Sequence, residues 1–296
     1  MSAADAVHLF VFGLGYTATA FARQLHEAGA SVAGTVRSRE KAARLTAEGI
    51  DALVFDGGLT DPAIEAHLNE ATHLLVSIAP GETGDPTLTH HRSRIIAAPR
   101  LLGIAYLSTV GVYGDYGGAW VDERTIPHPS HDRTRERVKS EAAWMEVADR
   151  CNAPLGIFRL AGIYGPGRNP LLNLAEGKAH RVIRPGQVFN RIHVADIAAV
   201  LAATLTRPQS RIYNVSDDEP APPNDVIVYA AGLMGVAPPP EVPLAEADLS
   251  PMARSFYADN RRVANHRIRQ ELGIVLRYPT YREGLSALWR DGTWRG

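Results

Sequence analysis

The stretch His8-Leu9-Phe10-Val11-Phe12-Gly13-Leu14-Gly15-Tyr16-Thr17-Ala18 decides the fold of this chain. An apolar run, typical of a buried strand, ends in Gly-x-Gly-x-x-Ala and passes directly into a helical pattern. Gly13 permits a tight turn, Gly15 lets a pyrophosphate approach the backbone, and Ala18 lets the helix pack close to the strand. The first N–H groups of the helix then face the phosphates, helped by the helix dipole. This context predicts a dinucleotide-binding loop; the alternative is a glycine-rich turn that binds nothing. The predicted cofactor residues here are Gly13, Gly15, Tyr16, Thr17 and Ala18.

Composition bounds the class of protein. The 296 residues correspond to one large or two small domains, and 45 % hydrophobic residues can form a sizeable core. A formal net charge of −1 predicts no general attraction to nucleic acid or to an anionic membrane. The single cysteine, Cys151, excludes an internal disulfide, and we expect an inert thiol in a reducing cytosol. The N-terminal apolar run lacks a basic region and contains two glycines, so we interpret it as a strand rather than a signal sequence. No later segment is apolar enough to span a bilayer, and we expect a cytoplasmic protein.

Short apolar runs alternate with longer amphipathic ones in the first half of the chain. We predict strands at 7–12, 31–36, 51–55, 73–78, 103–108 and 154–159, with a further strand at 211–215. We predict helices at 16–28, 39–48, 61–69, 87–98, 133–150 and 194–205. This alternation indicates βαβ units and a parallel sheet that is covered on both faces. The predicted fold is α/β, a doubly wound parallel-sheet Rossmann fold with a small, mostly helical C-terminal lobe.

The regular alternation weakens after Gly165, and proline-rich connections interrupt the last third of the chain. Helical patterns there cover 224–234, the segment from Asn260 through Leu272, and a last helix from Tyr281. We predict a Rossmann domain over 1–165, with 190–215 returning to it, and a substrate-side lobe over 166–189 and 216–296. This lobe is expected to cap the carboxyl edge of the sheet, where ligands bind in such folds.

The end of the second predicted strand indicates which dinucleotide is bound. An acidic residue about 20 positions after the glycines would bind the ribose of NAD, but this chain reads Gly34-Thr35-Val36-Arg37-Ser38-Arg39. The forked donors of Arg37 and Arg39 suit a 2′-phosphate, and the hydroxyls of Thr35 and Ser38 can add to them, so NADP is favoured over NAD. The alternative is that these arginines are solvated residues opening a helix. The remaining predicted cofactor residues follow two further strands: Asp56, which either contacts the adenine or only forms a turn, Ser77 and Ala79.

Three later motifs resemble one family. Tyr106–Asp115 is similar to the SS-x-x-VYG signature of extended short-chain dehydrogenases/reductases, Phe158–Gly167 to their LR-x-x-x-x-YGPG element, and Arg191–Ala198 to their HV-x-D-x-A element. With the glycine loop, the resemblance covers nearly the whole chain. The segment Ser108–Asp115 together with Gly118–Glu123 also resembles a narrower bacterial group, the YeeZ-type proteins, within the NAD-dependent epimerase/dehydratase superfamily.

The resemblance implies a chemistry that depends on a tyrosine. In working members a tyrosinate serves as general base or acid, a lysine four residues later lowers its pKa and holds the ribose, and a Ser/Thr hydroxyl binds the reacting oxygen. Thr109 matches the Ser/Thr position. If Lys139 is the family lysine, Arg135 stands where the tyrosine should be. If Glu141 sets the register instead, Arg137 replaces the lysine and Arg133 the tyrosine. Neither register supplies a base, because an arginine stays protonated.

Three interpretations of the missing tyrosine stay open. Another group replaces it, and then Tyr113, or Tyr116 in the same loop, is the best proton donor, with Lys139 assisting at the ribose. Alternatively, the protein binds a dinucleotide and an anionic ligand, which the arginine-rich helix would hold, but reacts slowly or not at all. Finally, 131–141 is a solvated helix whose function was lost.

Other motif residues allow a functional and a structural role. Arg159 either binds near the nicotinamide ribose or braces the strand end. His193 is expected to pack structurally, and Asp196 to cap the helix that starts there. Sugar-nucleotide enzymes of this class carry an arginine four residues before the histidine, where this chain has Phe189, which weakens a sugar-nucleotide assignment.

The sequence thus predicts an NADP-dependent oxidoreductase or epimerase acting on a small or nucleotide-linked polar substrate. The alternative is a catalytically inactive dinucleotide sensor or scaffold. The predicted catalytic residues are Thr109, Tyr113 and Lys139. The adjacent pair His90-His91 lacks companions at ligand spacing, so no metal is expected, and this class of protein often forms homodimers.

Overall fold

The computed structural model describes residues 7–58 and 61–296. The strands are β1 (His8–Phe12), β2 (Ser31–Val36), β3 (Asp51–Val54), β4 (His73–Val76), β5 (Gly103–Thr109), β6 (Trp120–Val121), β7 (Leu155–Leu160), β8 (Gly162–Tyr164), β9 (Arg181–Ile183), β10 (Arg191–His193), β11 (Arg211–Val215), β12 (Glu241–Pro243) and β13 (Arg262–Val263). The α-helices are α1 (Tyr16–Glu27), α2 (Arg39–Ala47), α3 (Ala63–Glu70), α4 (Pro86–Ile96), α5 (Asp132–Cys151), α6 (Pro170–Ala175), α7 (Val194–Leu205), α8 (Pro223–Met234), α9 (Pro251–Phe256), α10 (His266–Gln270) and α11 (Tyr281–Arg290).

A seven-stranded sheet runs in the order β11-β7-β5-β4-β1-β2-β3. The pairs β1–β2, β2–β3, β1–β4 and β4–β5 are parallel. The chain therefore builds outward from β1 to β3 on one side and then, from β4, outward on the other. The strand order reverses between β1 and β4, which is where ligands bind in open parallel sheets. This architecture confirms the predicted doubly wound α/β fold.

The elements of the sheet lie where the hydrophobic pattern predicts them. β1 is buried from Leu9 to Phe12, and α1 turns Ala18, Phe21 and Leu25 to the interior. Gly29 follows α1 with a φ of +91°, a left-handed conformation that glycine adopts without strain. The hydrophobic pattern of the opening sequence therefore predicts both β1 and α1 correctly.

The chain divides into two compact units. The first consists of the described residues up to Thr109 together with 132–159 and 197–213. Its core packs the apolar side chains of β1, β4, β5 and α5 around the fully buried Trp144. The indole Nε1 of Trp144 donates to Asp85 Oδ2 at 2.8 Å, so α5 is fixed against the start of α4.

The second unit consists of 110–131, 160–196 and 214–296. It has its own apolar core, in which Tyr164, Leu171, Tyr281 and Leu285 are buried. It contains helices α6 and α8–α11 and three two-stranded parallel pairs: β8 with β10, β9 with β12, and β6 with β13.

The structure corrects the helix that the sequence predicts from Asn260 to Leu272. Arg262 and Val263 form β13 instead, and only α10 is helical there. The Val263 N–H donates to Asn190 Oδ1 at 2.8 Å, and Asn265 Nδ2 donates to the Ser216 carbonyl at 2.8 Å. These bonds to distant residues hold the backbone extended and override the local helical pattern.

In the part of the chain that the structure describes, no helix combines the length and apolar character needed to cross a membrane.

Candidate functional site

The glycine loop turns sharply at Gly13. Its φ is +92°, and a Cβ built there would lie 2.7 Å from Ile78 Cγ1, so neither the backbone nor the neighbouring strand tolerates a side chain. The Gly13 N–H donates to Thr35 Oγ1 at 2.9 Å. The turn that the sequence predicts is thus fixed by packing within the first unit.

Gly15 is a glycine for a different reason. Its φ of −76° and ψ of −166° suit any residue, and a Cβ there would meet only the Gly13 carbonyl, at 4.0 Å. Among the described residues no contact requires a glycine at this position, so the space beside Gly15 is open to a ligand. Helix α1 begins at the next residue, without a side-chain cap or an acidic residue in its first turn. A pyrophosphate fits this cradle because helix N–H groups and the dipole both favour an anion.

The remaining loop residues serve packing. Ala18 is fully buried and Thr17 nearly so, while Tyr16 is half-buried. The small side chain of Ala18 therefore lets α1 lie close to the sheet, as its place in the motif predicts.

Two of the hydroxyls predicted at the 2′-phosphate have structural partners instead. Thr35 is fully buried, and its Oγ1 accepts the Gly13 N–H. Ser38 caps α2, its Oγ accepting the Lys41 N–H at 3.3 Å. The side chains of Arg37 and Arg39 are exposed, as is Ser38.

Lys41 is a residue that the sequence analysis missed. From the first turn of α2 its Nζ donates to the Leu14 carbonyl, between the two glycines, at 2.6 Å. Burial lowers the pKa of Lys41, and the positive charges of Arg44, Arg23 and Arg37 lower it further. The sequence does contain a signal for this role of Lys41: the residue lies in the first turn of the helix that follows β2, close to Arg37 and Arg39. A cation therefore lies directly against the glycine loop.

The other predicted cofactor residues lie along the same sheet edge. Asp56 follows β3, is exposed, and accepts the Gly58 N–H at 3.0 Å, the geometry of a turn former. The Ser77 N–H donates to the Phe12 carbonyl at 2.9 Å, which extends the pairing of β4 with β1. Ala79, two residues later, is exposed. Contact of any of these residues with adenine stays a prediction.

A buried polar network supports the end of β5. Ser108 Oγ donates to Glu141 Oε1 at 2.5 Å, and Arg159 Nη2 lies 2.7 Å from Glu141 Oε2. The Arg159 and Glu141 side chains are each 4 % exposed. Because the carboxylate binds both partners in the interior, Arg159 braces the strand end. The half-buried Thr109 is the next residue along β5.

The two registers of α5 differ in which side chains face β5. Arg137 lies on the helix face toward β5, where its Nη1 donates to the Leu107 carbonyl at 2.8 Å. Lys139 is 73 % exposed and pairs with Glu136 at 2.7 Å, so its contact with the ribose stays a prediction. The packing of α5 favours the register in which Arg137 takes the position of the family lysine and the exposed Arg133 that of the tyrosine.

The two tyrosines considered as substitutes have partners in the second unit. Tyr113 ends the 3₁₀ helix Val110–Tyr113, is fully buried, and its hydroxyl donates to Asn214 Oδ1 at 2.8 Å. The hydroxyl of Tyr116 donates to the Ile126 carbonyl at 2.8 Å. The buried hydrogen bond of Tyr113 gives its hydroxyl a structural role, and its role as a proton donor stays a prediction.

His193 and Asp196 also have structural roles. His193 is 4 % exposed and its Nδ1 accepts the Ala195 N–H; burial, with the charge of Arg277, lowers its pKa to about 4. Asp196 accepts the N–H groups of Arg277 and Tyr278 at 2.7 and 3.1 Å. The carboxylate thus fixes a distant loop rather than serving only the helix that starts beside it.

Comparison with solved structures finds two close matches over nearly the whole chain. A conserved protein of unknown function from Silicibacter pomeroyi is 49 % identical, with a TM-score of 0.87 over 96 % of this chain and 98 % of its own. A Methylobacillus flagellatus protein described as an NAD-dependent epimerase/dehydratase is 26 % identical, with a TM-score of 0.75 over 97 % of this chain and 99 % of its own.

Curated relatives are more distant. Protein YeeZ from Escherichia coli K12 is 27 % identical over 292 residues, covering 91 % of this chain and 95 % of YeeZ. A 3-diazoavenalumate denitrifying reductase from a Streptomyces species is 28 % identical over 141 residues, which is 44 % of this chain and 45 % of that enzyme. A scan against family models finds none that matches.

Proposed function

Since this chain belongs to the NAD-dependent epimerase/dehydratase superfamily, as an atypical extended short-chain dehydrogenase/reductase of the YeeZ-type group, we propose that it is an NADPH-dependent reductase. The observation that carries the proposal is the open space at Gly15, a position that no contact in residues 7–58 or 61–296 requires to be a glycine. The uncapped start of α1 beside it supplies the donors that a pyrophosphate needs.

The preference for NADP over NAD rests on charge at the end of β2. Arg37 is exposed there, and Lys41 reaches the glycine loop from α2. No carboxylate follows β2 directly, since 37–39 reads Arg-Ser-Arg. A carboxylate would bind the ribose hydroxyls of NAD, whereas cations favour the extra phosphate of NADP. Arg37 and Lys41 would therefore hold the 2′-phosphate, with Arg39 beside them.

The direction of the reaction follows from the arginines on α5. Epimerases and alcohol dehydrogenases of this class must remove a proton from a hydroxyl, which needs a base. Arg133 and Arg137 occupy the Tyr and Lys positions, and a guanidinium cannot accept a proton at neutral pH. Reduction of an electron-poor carbon needs no such base: the hydride adds to that carbon, fixed positive charge stabilises the negative charge that develops, and solvent water supplies the proton that completes the reaction. When bound, NADPH would supply the hydride.

One relative is named as a reductase, and the structures of sugar-nucleotide enzymes are too distant to indicate a substrate. The Streptomyces relative is named as a reductase, although it matches less than half of this chain. Structures of UDP-sugar enzymes resemble this chain at 20 % identity or less, which shows the fold alone. We therefore do not extend their sugar-nucleotide substrates to this protein.

A calorimetric titration followed by turnover assays tests the proposal. We expect NADPH to bind more tightly than NADH, and NADPH to be consumed with a panel of activated alkenes, quinones and aryl carbonyls. UDP- and dTDP-sugars should remain unconverted in the same assays. No binding of either dinucleotide, or epimerisation of a sugar nucleotide, would contradict the proposal.

The absence of the tyrosine also supports a second candidate, a dinucleotide-responsive sensor without turnover. The buried hydrogen bond of Tyr113 leaves the described part of the site without an evident proton donor. Tight NADPH binding without consumption across the whole panel would favour this candidate over the reductase.

A further inference from the structure

Arg137 is a half-buried cation whose protein partners are neutral. Its Nη1 donates to the Leu107 carbonyl at 2.8 Å and to the Tyr106 hydroxyl at 3.3 Å, and its guanidinium lies 5.7 Å from the centre of the Tyr106 ring. Among the described residues, no carboxylate forms an ion pair with Arg137. A partly buried charge without a counter-ion is costly, and a bound anion would offset that cost.

The nearby acidic groups do not fill this role. Glu141, one turn along α5, is held by Arg159 and Ser108. Burial raises the pKa of Tyr106 to about 12, although Arg137 acts in the opposite direction, so the phenol is neutral at physiological pH. Glu136 pairs with Lys139 instead. The buried Asp85, whose charge also acts on Tyr106, accepts hydrogen bonds from Thr87, Leu88 and Trp144. Within the described first unit, Arg137 therefore has no carboxylate in an ion pair with it.

The orientation of the guanidinium leaves one edge for a ligand. Nη1 is turned to the backbone of β5, and neither Nε nor Nη2 has a partner among the described residues. The Nε–Nη2 edge presents two parallel donors, the geometry that matches the two oxygens of a carboxylate. Arg137 lies beside Leu107, two residues before Thr109 at the carboxyl end of β5. This is the edge of the sheet where ligands bind.

We propose that the Nε–Nη2 edge of Arg137 binds a carboxylate of the substrate, so that the protein acts on small carboxylic acids. The inference rests on the proposed reductase function, because it names the class of substrate for that reaction. Its test measures ligand binding and does not depend on turnover. One guanidinium with a single uncompensated charge matches the single charge of a carboxylate. A phosphate monoester, which carries almost two negative charges at neutral pH, would call for a second cation such as Arg133, one turn earlier on α5, so phosphate is the competing ligand in the test.

Paired ligands that differ only in charge test the proposal. Acetate with acetamide, and benzoate with benzamide, are titrated into the protein with and without NADP⁺ and followed by ligand-observed NMR, with inorganic phosphate as a further probe. We expect each acid to bind about 10- to 100-fold more tightly than its amide, the range for a charge-assisted hydrogen-bonded pair. Equal binding of acid and amide, or tighter binding of phosphate, would overturn the inference.

Matched variants on one helix locate the effect. Arg137→Met should abolish the preference for the acid, and Arg137→Lys should lose most of it because an ammonium lacks the two-donor edge. Arg135→Met, two residues away and exposed, should retain it. If Arg135→Met lost the preference as Arg137→Met did, the assignment to Arg137 would be wrong.

If Arg137→Met fails to fold, a measurement on the protein without any substitution tests the same site. Phenylglyoxal modification of Arg137, read by peptide mass spectrometry, should slow with benzoate and not with benzamide. Equal rates would count against the carboxylate site. If neither NADPH nor NADH binds while these anion effects appear, the proposed function fails and the carboxylate site stands.

Discussion

Replacing the two loop glycines one at a time separates packing from ligand binding. Gly13→Ala places a side chain in a left-handed conformation, which costs roughly 1–2 kcal/mol. Its Cβ would also lie 2.7 Å from Ile78 Cγ1, and such overpacking adds about 1–3 kcal/mol. The variant should therefore lose a large part of a typical domain stability of about 5–15 kcal/mol.

Gly15→Ala should behave in the opposite way. The φ of −76° suits alanine, and beyond the adjacent residues no described atom would lie closer than 4.0 Å to the new Cβ, so the fold should not weaken. The smaller entropy of the unfolded chain can even add about 0.4–1 kcal/mol. The new Cβ would instead crowd the pyrophosphate, and a crowded contact costing about 1–3 kcal/mol weakens NADPH binding about 5- to 150-fold.

Urea unfolding and calorimetric titration with NADPH, applied to both variants, measure these two effects. The expected result is a Gly15→Ala protein as stable as the parent that binds NADPH poorly, and a Gly13→Ala protein with a clearly lower unfolding midpoint. If Gly15→Ala bound NADPH like the parent, the interpretation of the open side as a phosphate cradle would be refuted.

Three further changes test separate parts of the site. Glu141→Gln should destabilise the protein by roughly 3–5 kcal/mol in urea unfolding, because it removes the carboxylate that pairs with the buried Arg159; a change below 1 kcal/mol (about the value of an exposed pair) would contradict the network. Tyr113→Phe should cost about 1–3 kcal/mol in the same assay and leave NADPH turnover nearly unchanged; a large loss of turnover at intact stability would restore Tyr113 as a proton donor. Arg37→Ala should weaken NADPH about 10-fold or more in titrations, as loss of a charge-assisted hydrogen bond predicts, with little effect on NADH and with the exposed Arg100→Ala as the control; an equal loss for both dinucleotides would refute the phosphate role.

The sequence predicts the sheet because each of its elements is determined by local periodicity. The strand predicted at 31–36 is Ser31–Val36, and the helix predicted at 194–205 is Val194–Leu205. Short strands such as Arg262–Val263 escape prediction because they depend on bonds to distant residues, here Asn190 and β6. Two-residue strands carry no period that a pattern could reveal.

The site is less predictable because the same side chain can serve a ligand or the fold. Thr35 lies at the expected distance from the glycines, yet its hydroxyl is used by Gly13, 22 residues away. The register on α5 was readable in principle. The buried Trp144 lies seven residues after Arg137, which places both on one helix face, whereas Lys139 does not share that spacing. The packing of that face on β5 favours the register with Arg137, rather than Lys139, at the position of the family lysine.

A crystal structure of the protein with NADPH tests the central claim most directly. The account predicts the pyrophosphate over Gly15 at the start of α1, the 2′-phosphate beside Arg37 and Lys41, and the nicotinamide toward the end of β5 near Arg137. Crystals grown in excess NADPH without density over Gly15, or with the dinucleotide bound elsewhere, would contradict it.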